Sequence, residues 1–140
     1  MQELVEFTSN NALLVTGLIA SGLAAVFYEL RLKARNVASL GTPMVVQMIN
    51  EGGKVVDVRT AELFAGGHIV DARNVPQQEL LDDSNAVKNQ KKNVVLVCDN
   101  GTQSGECVAR LRKDGHENIF SLRGGLEDWR KENLPLISES

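Results

Sequence analysis

An apolar run from Val94 to Val97 leads into a cysteine, Cys98, and is followed by a short polar loop and a segment with helical spacing. Four apolar residues in succession predict a strand that is buried on both faces, as at the centre of a parallel sheet. Cys98 then lies at the carboxyl end of that strand, where ligands bind in α/β sheets. Backbone N–H groups concentrate at such a strand-to-helix turn, so the site suits a thiolate or a sulfur-bearing anion.

Strands and helices alternate along the rest of the chain, which predicts an α/β fold with a mainly parallel sheet flanked by helices. Thr42 is predicted to cap the first helix, with Pro43 in its first turn, and Thr60 to cap the second. The predicted strands are residues 37–40, 55–58, 72–75, 94–97 and 119–122. The predicted helices are residues 44–50, 60–64, 77–90 in one or two pieces, 104–114 and 126–133.

Length and composition exclude several classes of protein. The 140 residues suffice for one domain and an additional segment. A net charge of −3 provides no electrostatic footprint for nucleic acid, so no nucleic-acid partner is expected. The two cysteines and two histidines do not have metal-ligand spacing. We therefore expect no metal site, no cofactor and no disulfide framework.

The N-terminal segment is uncharged from Phe7 to Tyr28, and its core from Ala12 to Phe27 is apolar on all helical faces. A bilayer span needs about 20 such residues. A cleavable signal peptide would begin with basic residues, whereas this N-terminus carries Glu3 and Glu6. A core helix of a soluble protein would usually have a polar face. A transmembrane helix is the favoured interpretation of the three.

The charges that flank this span predict its orientation. Arg31, Lys33 and Arg35 follow the span and only acids precede it, so the positive-inside rule places the C-terminal domain in the cytoplasm of a bacterial-type inner membrane. The bilayer is then a partner. The small residues Gly17 and Ser21 would let a helix of another membrane protein approach closely. The predicted divisions are a tail of residues 1–10, a span of 11–30, a basic linker of 31–36 and a folded domain of 37–136.

Three motifs make residues 37–135 resemble the single-domain rhodaneses. Residues 57–76 read DVRTAELFAGGHIVDARNVP, residues 98–104 read CDNGTQS, and GGLEDW begins at Gly124 and is followed by a closing LP. The resemblance implies a five-stranded parallel sheet flanked by helices. It also implies a cysteine that carries a persulfide between a sulfur donor and an acceptor, either of which is a small molecule or a protein thiol.

The resemblance assigns roles to individual residues. It makes Cys98 the catalytic residue and makes the loop that follows it an anion- and persulfide-binding loop: Asp99, Asn100, Gly101, Thr102, Gln103 and Ser104. It implies a structural motif of Asp57, Arg59, Glu62 and His68. Within that motif we expect an Arg59–Glu62 ion pair and a hydrogen-bonding turn at His68. Cys107 is expected to pack in the core, with a resolving thiol as the alternative.

The loop departs from the family pattern in its charge. Gln103 stands where many active members have arginine or serine, and Asp99 places an acid beside the nucleophile. Three functions therefore remain open: a sulfurtransferase, a rhodanese-like binding module held at the membrane, and a cysteine phosphatase or arsenate reductase. The last would call for a longer loop and an arginine clamp. A purely structural, buried role for Cys98 also remains open.

Overall fold

The computed structural model of the protein describes residues 1–88 and 91–139, without the side chains of residues 34–37. The helices are α1 Gln2–Asn10, α2 Ala12–Ala38, α3 Thr42–Asn50, α4 Ala61–Gly66, α5 Gln77–Asp82, α6 Thr102–Lys113 and α7 Gly125–Lys131. The strands are β1 Ser39–Leu40, β2 Lys54–Asp57, β3 Arg73–Asn74, β4 Val94–Val97 and β5 Ile119–Leu122. The chain divides into two compact units, Met1–Ala34 and Arg35–Ser140.

The first unit consists of α1 and most of α2. Between Ala12 and Lys33, α2 is long and apolar enough to cross a membrane, and none of its most apolar stretch is buried. Leu13 and Leu18, for example, expose 90% and 75% of their surface. A core helix would bury such side chains, so that interpretation is wrong. Residues 2–10 form α1, and residues 31–36 continue α2. The division into tail, span, linker and folded domain stays a prediction.

The second unit is built on a five-stranded sheet in the order β1-β5-β4-β2-β3, with every strand pair parallel. This confirms the predicted fold class. The central strand, β4, is at most 1% exposed at each residue, as four consecutive valines and leucines require. β4 and β5 begin and end where the sequence predicts. β1 is shorter than predicted because helix α2 continues through Ala38.

Most helices of this unit differ from their predictions at the ends. Gly41 rather than Thr42 is the N-terminal cap of α3, and Thr42 is its first residue. The Thr60 side chain accepts the Leu63 N–H, as predicted, and α4 continues to Gly66. The segment after Pro76 forms two pieces, α5 and a 3₁₀ turn at Ser84–Ala86. The end of the predicted segment, residues 89 and 90, lies outside the described residues.

Two apolar clusters cover the two faces of the sheet. Side chains alternate along a strand, so Val94, Leu96 and then Cys98 belong to one cluster and Val95 and Val97 to the other. The first cluster includes the buried side of α6, which is Cys107, Val108 and Leu111. The second includes Leu126 and Trp129 of α7. The Cys98 side chain therefore faces the layer that contains α6.

Candidate active site

Cys98 lies directly after β4, and the chain turns back over its sulfur into α6. Gly101, with φ of +90°, makes the turn and caps the helix. The Gly101 N–H donates to the Cys98 Sγ at 3.0 Å, and the Ser104 N–H does so at 3.4 Å. The Ser104 Oγ lies 3.4 Å from the same sulfur. The first turn of α6 thus directs hydrogen-bond donors at one sulfur atom, which favours negative charge there.

The Cys98 loop rests on the beginning of α7. The Leu126 N–H donates to the Cys98 carbonyl oxygen and the Glu127 N–H to the Asp99 carbonyl oxygen, each at 2.9 Å. Gly125 has φ of +58°, and a Cβ at this position would lie 2.6 Å from the Asp99 carbonyl carbon. Only glycine allows this approach. This role of Gly125 was not predicted from the sequence, although the Gly124-Gly125 pair is a visible signal.

A buried guanidinium connects the loop to the rest of the sheet edge. The Arg59 Nε lies 3.0 and 3.1 Å from the two Asp57 carboxylate oxygens, and Arg59 Nη2 lies 2.8 Å from Asp57 Oδ2. Arg59 Nη2 also donates to the Gly67 carbonyl oxygen at 2.6 Å. Arg59 Nη1 reaches Asp99 Oδ1 at 3.3 Å. One cation therefore holds the end of β2, the end of α4 and the Cys98 loop together.

The electrostatics of this cluster keep Arg59 charged. Burial lowers the pKa of Arg59, but its hydrogen bond with Asp57 and the charges of Asp57 and Asp99 raise it by more, so that the pKa lies above its ordinary value. The predicted Arg59–Glu62 ion pair is wrong. Glu62 is exposed in the first turn of α4, whereas Arg59 points to the two aspartates. Asp99 is 40 positions from Arg59, and no local spacing signals the contact.

His68 follows the C-terminal cap of α4 and is buried. Its Nδ1 is 2.7 Å from the Phe64 carbonyl oxygen, and its ring stacks on the Phe64 ring at 3.8 Å. Its backbone forms a pair of hydrogen bonds with Ile137, both at 2.8 Å. These contacts fix the turn after α4 and the C-terminal segment.

The side chains of Asn100, Thr102 and Gln103 are exposed. Asn100 accepts the Thr102 N–H through its side chain at 3.0 Å, which shapes the turn. Of the predicted loop residues, the structure brings Gly101 and Ser104 into contact with the Cys98 Sγ, the former through its backbone.

Cys107 lies one helical turn beyond Ser104 and is fully buried in the same cluster as Cys98. Burial raises the pKa of the Cys107 thiol to about 11, and the neighbouring charges of Glu106 and Cys98 add to the effect. A hydrogen bond with Gln77 lowers it by less. Cys107 is therefore a neutral thiol at physiological pH.

Comparison with known proteins identifies the same region. The family model described as Rhodanese-like domain matches residues 43–132. The thiosulfate sulfurtransferase GlpE of Pseudomonas putida is 36% identical over 80 residues, which are 57% of this chain and 72% of that protein. The uncharacterized protein YibN of Escherichia coli is 29% identical over 140 residues and 98% of both chains. The match to YqhL of Bacillus subtilis, 40% identical over 76 residues, spans 60% of that relative's length.

Solved structures show the same fold. A rhodanese-related protein from Thermoplasma volcanium superposes with a TM-score of 0.64 at 26% identity, covering 71% of this chain and 96% of the other. A rhodanese-like domain protein from Staphylococcus aureus has a TM-score of 0.62 at 28% identity, covering 73% and 98%. The five-stranded parallel sheet, the cysteine at the end of its central strand and the family match over most of the second unit together show that this chain belongs to the rhodanese-like family.

Proposed function

We propose that this protein is a membrane-anchored sulfurtransferase that carries sulfur as a persulfide on Cys98. The observation that supports this most directly is that two amides, those of Gly101 and Ser104, donate to one sulfur atom, with the Ser104 hydroxyl 3.4 Å from it. Such donors stabilise a thiolate before transfer and an ionised persulfide after it. The similarity to thiosulfate sulfurtransferases supports the same reaction class.

The transfer consists of two displacements at sulfur. The Cys98 thiolate attacks the outer sulfur of the donor, the donor's S–S bond breaks, and its electron pair leaves with the remainder of the donor. With thiosulfate the products are the Cys98 persulfide anion and sulfite. A thiolate acceptor then attacks the outer persulfide sulfur, takes it, and leaves Cys98 as a thiolate again. Cys98 is thus the covalent nucleophile, and the loop amides stabilise the charge that stays on its sulfur.

Access to the sulfur requires the loop to open. Cys98 is 1% exposed, and the turn that follows it contacts its sulfur through the amides of Gly101 and Ser104. On the Arg59 side the loop is held by one contact, from Nη1 to Asp99 Oδ1. The Asp99 side chain is 47% exposed, so this contact competes with water. A local opening that releases Asp99 is compatible with an intact Arg59–Asp57 pair.

The activity test uses the full chain in detergent with a panel of sulfane-sulfur donors and a thiol acceptor. We expect wild-type protein to release the donor's remainder and to transfer sulfur, and the Cys98→Ser variant to do neither. Cys107→Ser is the matched control and should retain transfer, because its thiol takes no part. Equal activity of the Cys98→Ser variant and the wild type would contradict the proposal.

The membrane anchor is the second component of the proposal. The length and apolar surface of α2 support a span, and the bases at 31, 33 and 35 support a cytoplasmic C-terminal domain. A reporter fused after the last residue should behave as cytoplasmic. Alkaline phosphatase activity from that fusion on the outer side would contradict the orientation. Recovery of the full chain in the soluble fraction without detergent would contradict the anchor.

A second candidate function is a binding module without turnover, held at the membrane to recruit a partner. The burial of Cys98 and the lack of a side-chain cation among residues 99–103 favour it. The two functions differ in one observable. A wild-type protein that takes up no sulfur from any donor, while Cys98 is reduced and reacts with an alkylating agent, would indicate the binding module.

A further inference from the structure

The charge of the Cys98 loop is unusual for a site that receives sulfur from an anion. Within residues 99–104 the only charged side chain is Asp99. Its carboxylate is on the exposed side of the loop, with 47% of the side chain accessible to solvent. A donor that reaches the Cys98 sulfur therefore comes near an exposed carboxylate on the next residue of the chain.

Arg59 does not cancel this negative charge. Its guanidinium contacts both carboxylate oxygens of Asp57 and the Gly67 carbonyl oxygen, at 2.6 to 3.1 Å, and reaches Asp99 by a single 3.3 Å contact. One cation is shared by two carboxylates, which leaves a net charge of about −1 at the loop. Glu127, whose amide donates to the Asp99 carbonyl oxygen, is a second exposed acid in the segment on which the loop rests.

Three of the loop amides are already engaged. The Gly101 and Ser104 N–H groups are directed at the Cys98 sulfur itself, and the Thr102 N–H donates to the Asn100 side chain. They are committed to the charge on Cys98 or to the turn. A dianionic donor such as thiosulfate would then meet repulsion from Asp99 with no side-chain cation in the loop to bind it.

We propose that Asp99 is the specificity-determining residue of this site, and that it selects organic persulfides on neutral or positively charged carriers over anionic donors. The inference rests on the proposed function and deepens it. In the selected reaction the Cys98 thiolate attacks the outer sulfur of R–S–SH, the S–S bond breaks, and R–S⁻ leaves with the electron pair. The outer sulfur keeps its proton as Cys98–S–SH. The carrier R comes near Asp99, so its charge sets the rate.

The experiment measures the rate of sulfur transfer to the full chain in detergent from three persulfides of similar size. These are the persulfides of cysteamine, 2-mercaptoethanol and 3-mercaptopropionate, whose carriers have charges of +1, 0 and −1. We expect the rate to fall by about fivefold for each unit of negative charge, in that order, the size expected for charges several ångströms apart near a protein surface. Raising the salt concentration should flatten the series.

Asp99→Asn is the decisive variant, because asparagine retains the oxygen that accepts from Arg59 and removes the charge. In this variant the transfer rate should no longer depend on the charge of the carrier, whatever the absolute rate is. Asp114→Asn removes the same charge at the far end of α6, about 18 Å of helix away, and should retain the wild-type series. If the sulfur donor is a protein, a persulfidated peptide with lysine beside its cysteine should transfer sulfur faster than one with glutamate there.

The outcomes distinguish a failure of the role proposed for Asp99 from a failure of the proposed sulfurtransferase function. A wild-type series that transfers sulfur at equal rates for all three charges, or that is unchanged in Asp99→Asn, would overturn the role of Asp99 and leave the sulfurtransferase intact. Transfer from none of the donors would overturn both. If Asp99→Asn does not fold, a wild-type series that is insensitive to salt overturns the inference by itself.

Discussion

The two cysteines lie in the same buried cluster, yet their surroundings differ in kind. Cys98, at the end of β4, receives hydrogen bonds from two backbone amides, whereas Cys107, in the second turn of α6, lies among apolar side chains. Both are at most 1% exposed. Burial therefore does not distinguish the thiol proposed to react from the thiol that packs in the core. What distinguishes them is the direction of the surrounding N–H groups, which the strand-to-helix turn provides only to Cys98.

The largest expected effect is on sulfur transfer when each cysteine is replaced by serine in turn. Cys98→Ser should lower sulfur transfer by about a thousandfold or more, because the nucleophile is lost. Cys107→Ser should retain transfer and lose only some stability, because it places a polar group in an apolar cluster. Turnover assays on the two purified full-length variants make the comparison. Comparable losses in both variants would show that the two cysteines act together.

Arg59 holds the Cys98 loop through Asp99 and neutralises the buried Asp57. Arg59→Met should lower the free energy of unfolding by about 3 to 5 kcal/mol, because it leaves the buried Asp57 carboxylate without its cation. Trp129 is the sole tryptophan and is 4% exposed, so its fluorescence reports denaturant unfolding directly. Glu62→Gln is the control, since Glu62 is exposed, and should change stability by less than about 0.5 kcal/mol. An equal loss in both variants would contradict the Arg59–Asp57–Asp99 arrangement.

The buried Cys107 thiol predicts that the free energy of unfolding depends on pH in the alkaline range. Its pKa is raised from 9.0 to about 11 in the folded protein, so the unfolded chain loses this proton first as the pH rises. The stabilising contribution is fully present below pH 9 and is lost as the pH approaches 11, by at most about 3 kcal/mol. The difference in unfolding free energy between wild type and Cys107→Ala should shrink by that amount over this range. If that difference in unfolding free energy stays constant between pH 9 and 11, the pKa of Cys107 is not raised by burial.

The smallest expected effect concerns the charge of the loop. Gln103→Arg adds a cation at an exposed position of the Cys98 loop and should raise kcat/KM for thiosulfate by about two- to fivefold. Gln47→Arg adds the same charge to an exposed position on α3 and serves as the control. A gain of equal size in both variants would attribute the effect to net charge alone.

The sequence predicted the parts of the structure that depend on local pattern. The apolar runs of β4 and β5 and the turn glycine before α6 predicted two strands, the parallel sheet and the position of Cys98. The short edge strands β1 and β3 were less predictable, because two paired residues leave almost no periodic signal. Helix α2 extends to Ala38, where the sequence suggested a strand, since its last turns are compatible with both.

The contacts that shape the site were not predictable in the same way. The Arg59–Asp99 contact joins residues 40 positions apart, and a local spacing rule favoured Glu62 instead. The close approach of Gly125 to the loop depends on how α7 packs against the sheet edge. Both are long-range consequences of the fold, and together they explain how an acid beside the nucleophile is held in place.

The central claim is that Cys98 alone carries sulfur, and site-resolved mass spectrometry tests it most directly. The full chain is exposed to a persulfide donor, alkylated and digested, and the peptides that contain Cys98 and Cys107 are compared. The account predicts one additional sulfur atom on the Cys98 peptide and none on the Cys107 peptide. Additional sulfur on Cys107, or on neither peptide while Cys98 remains a reduced thiol, would contradict it.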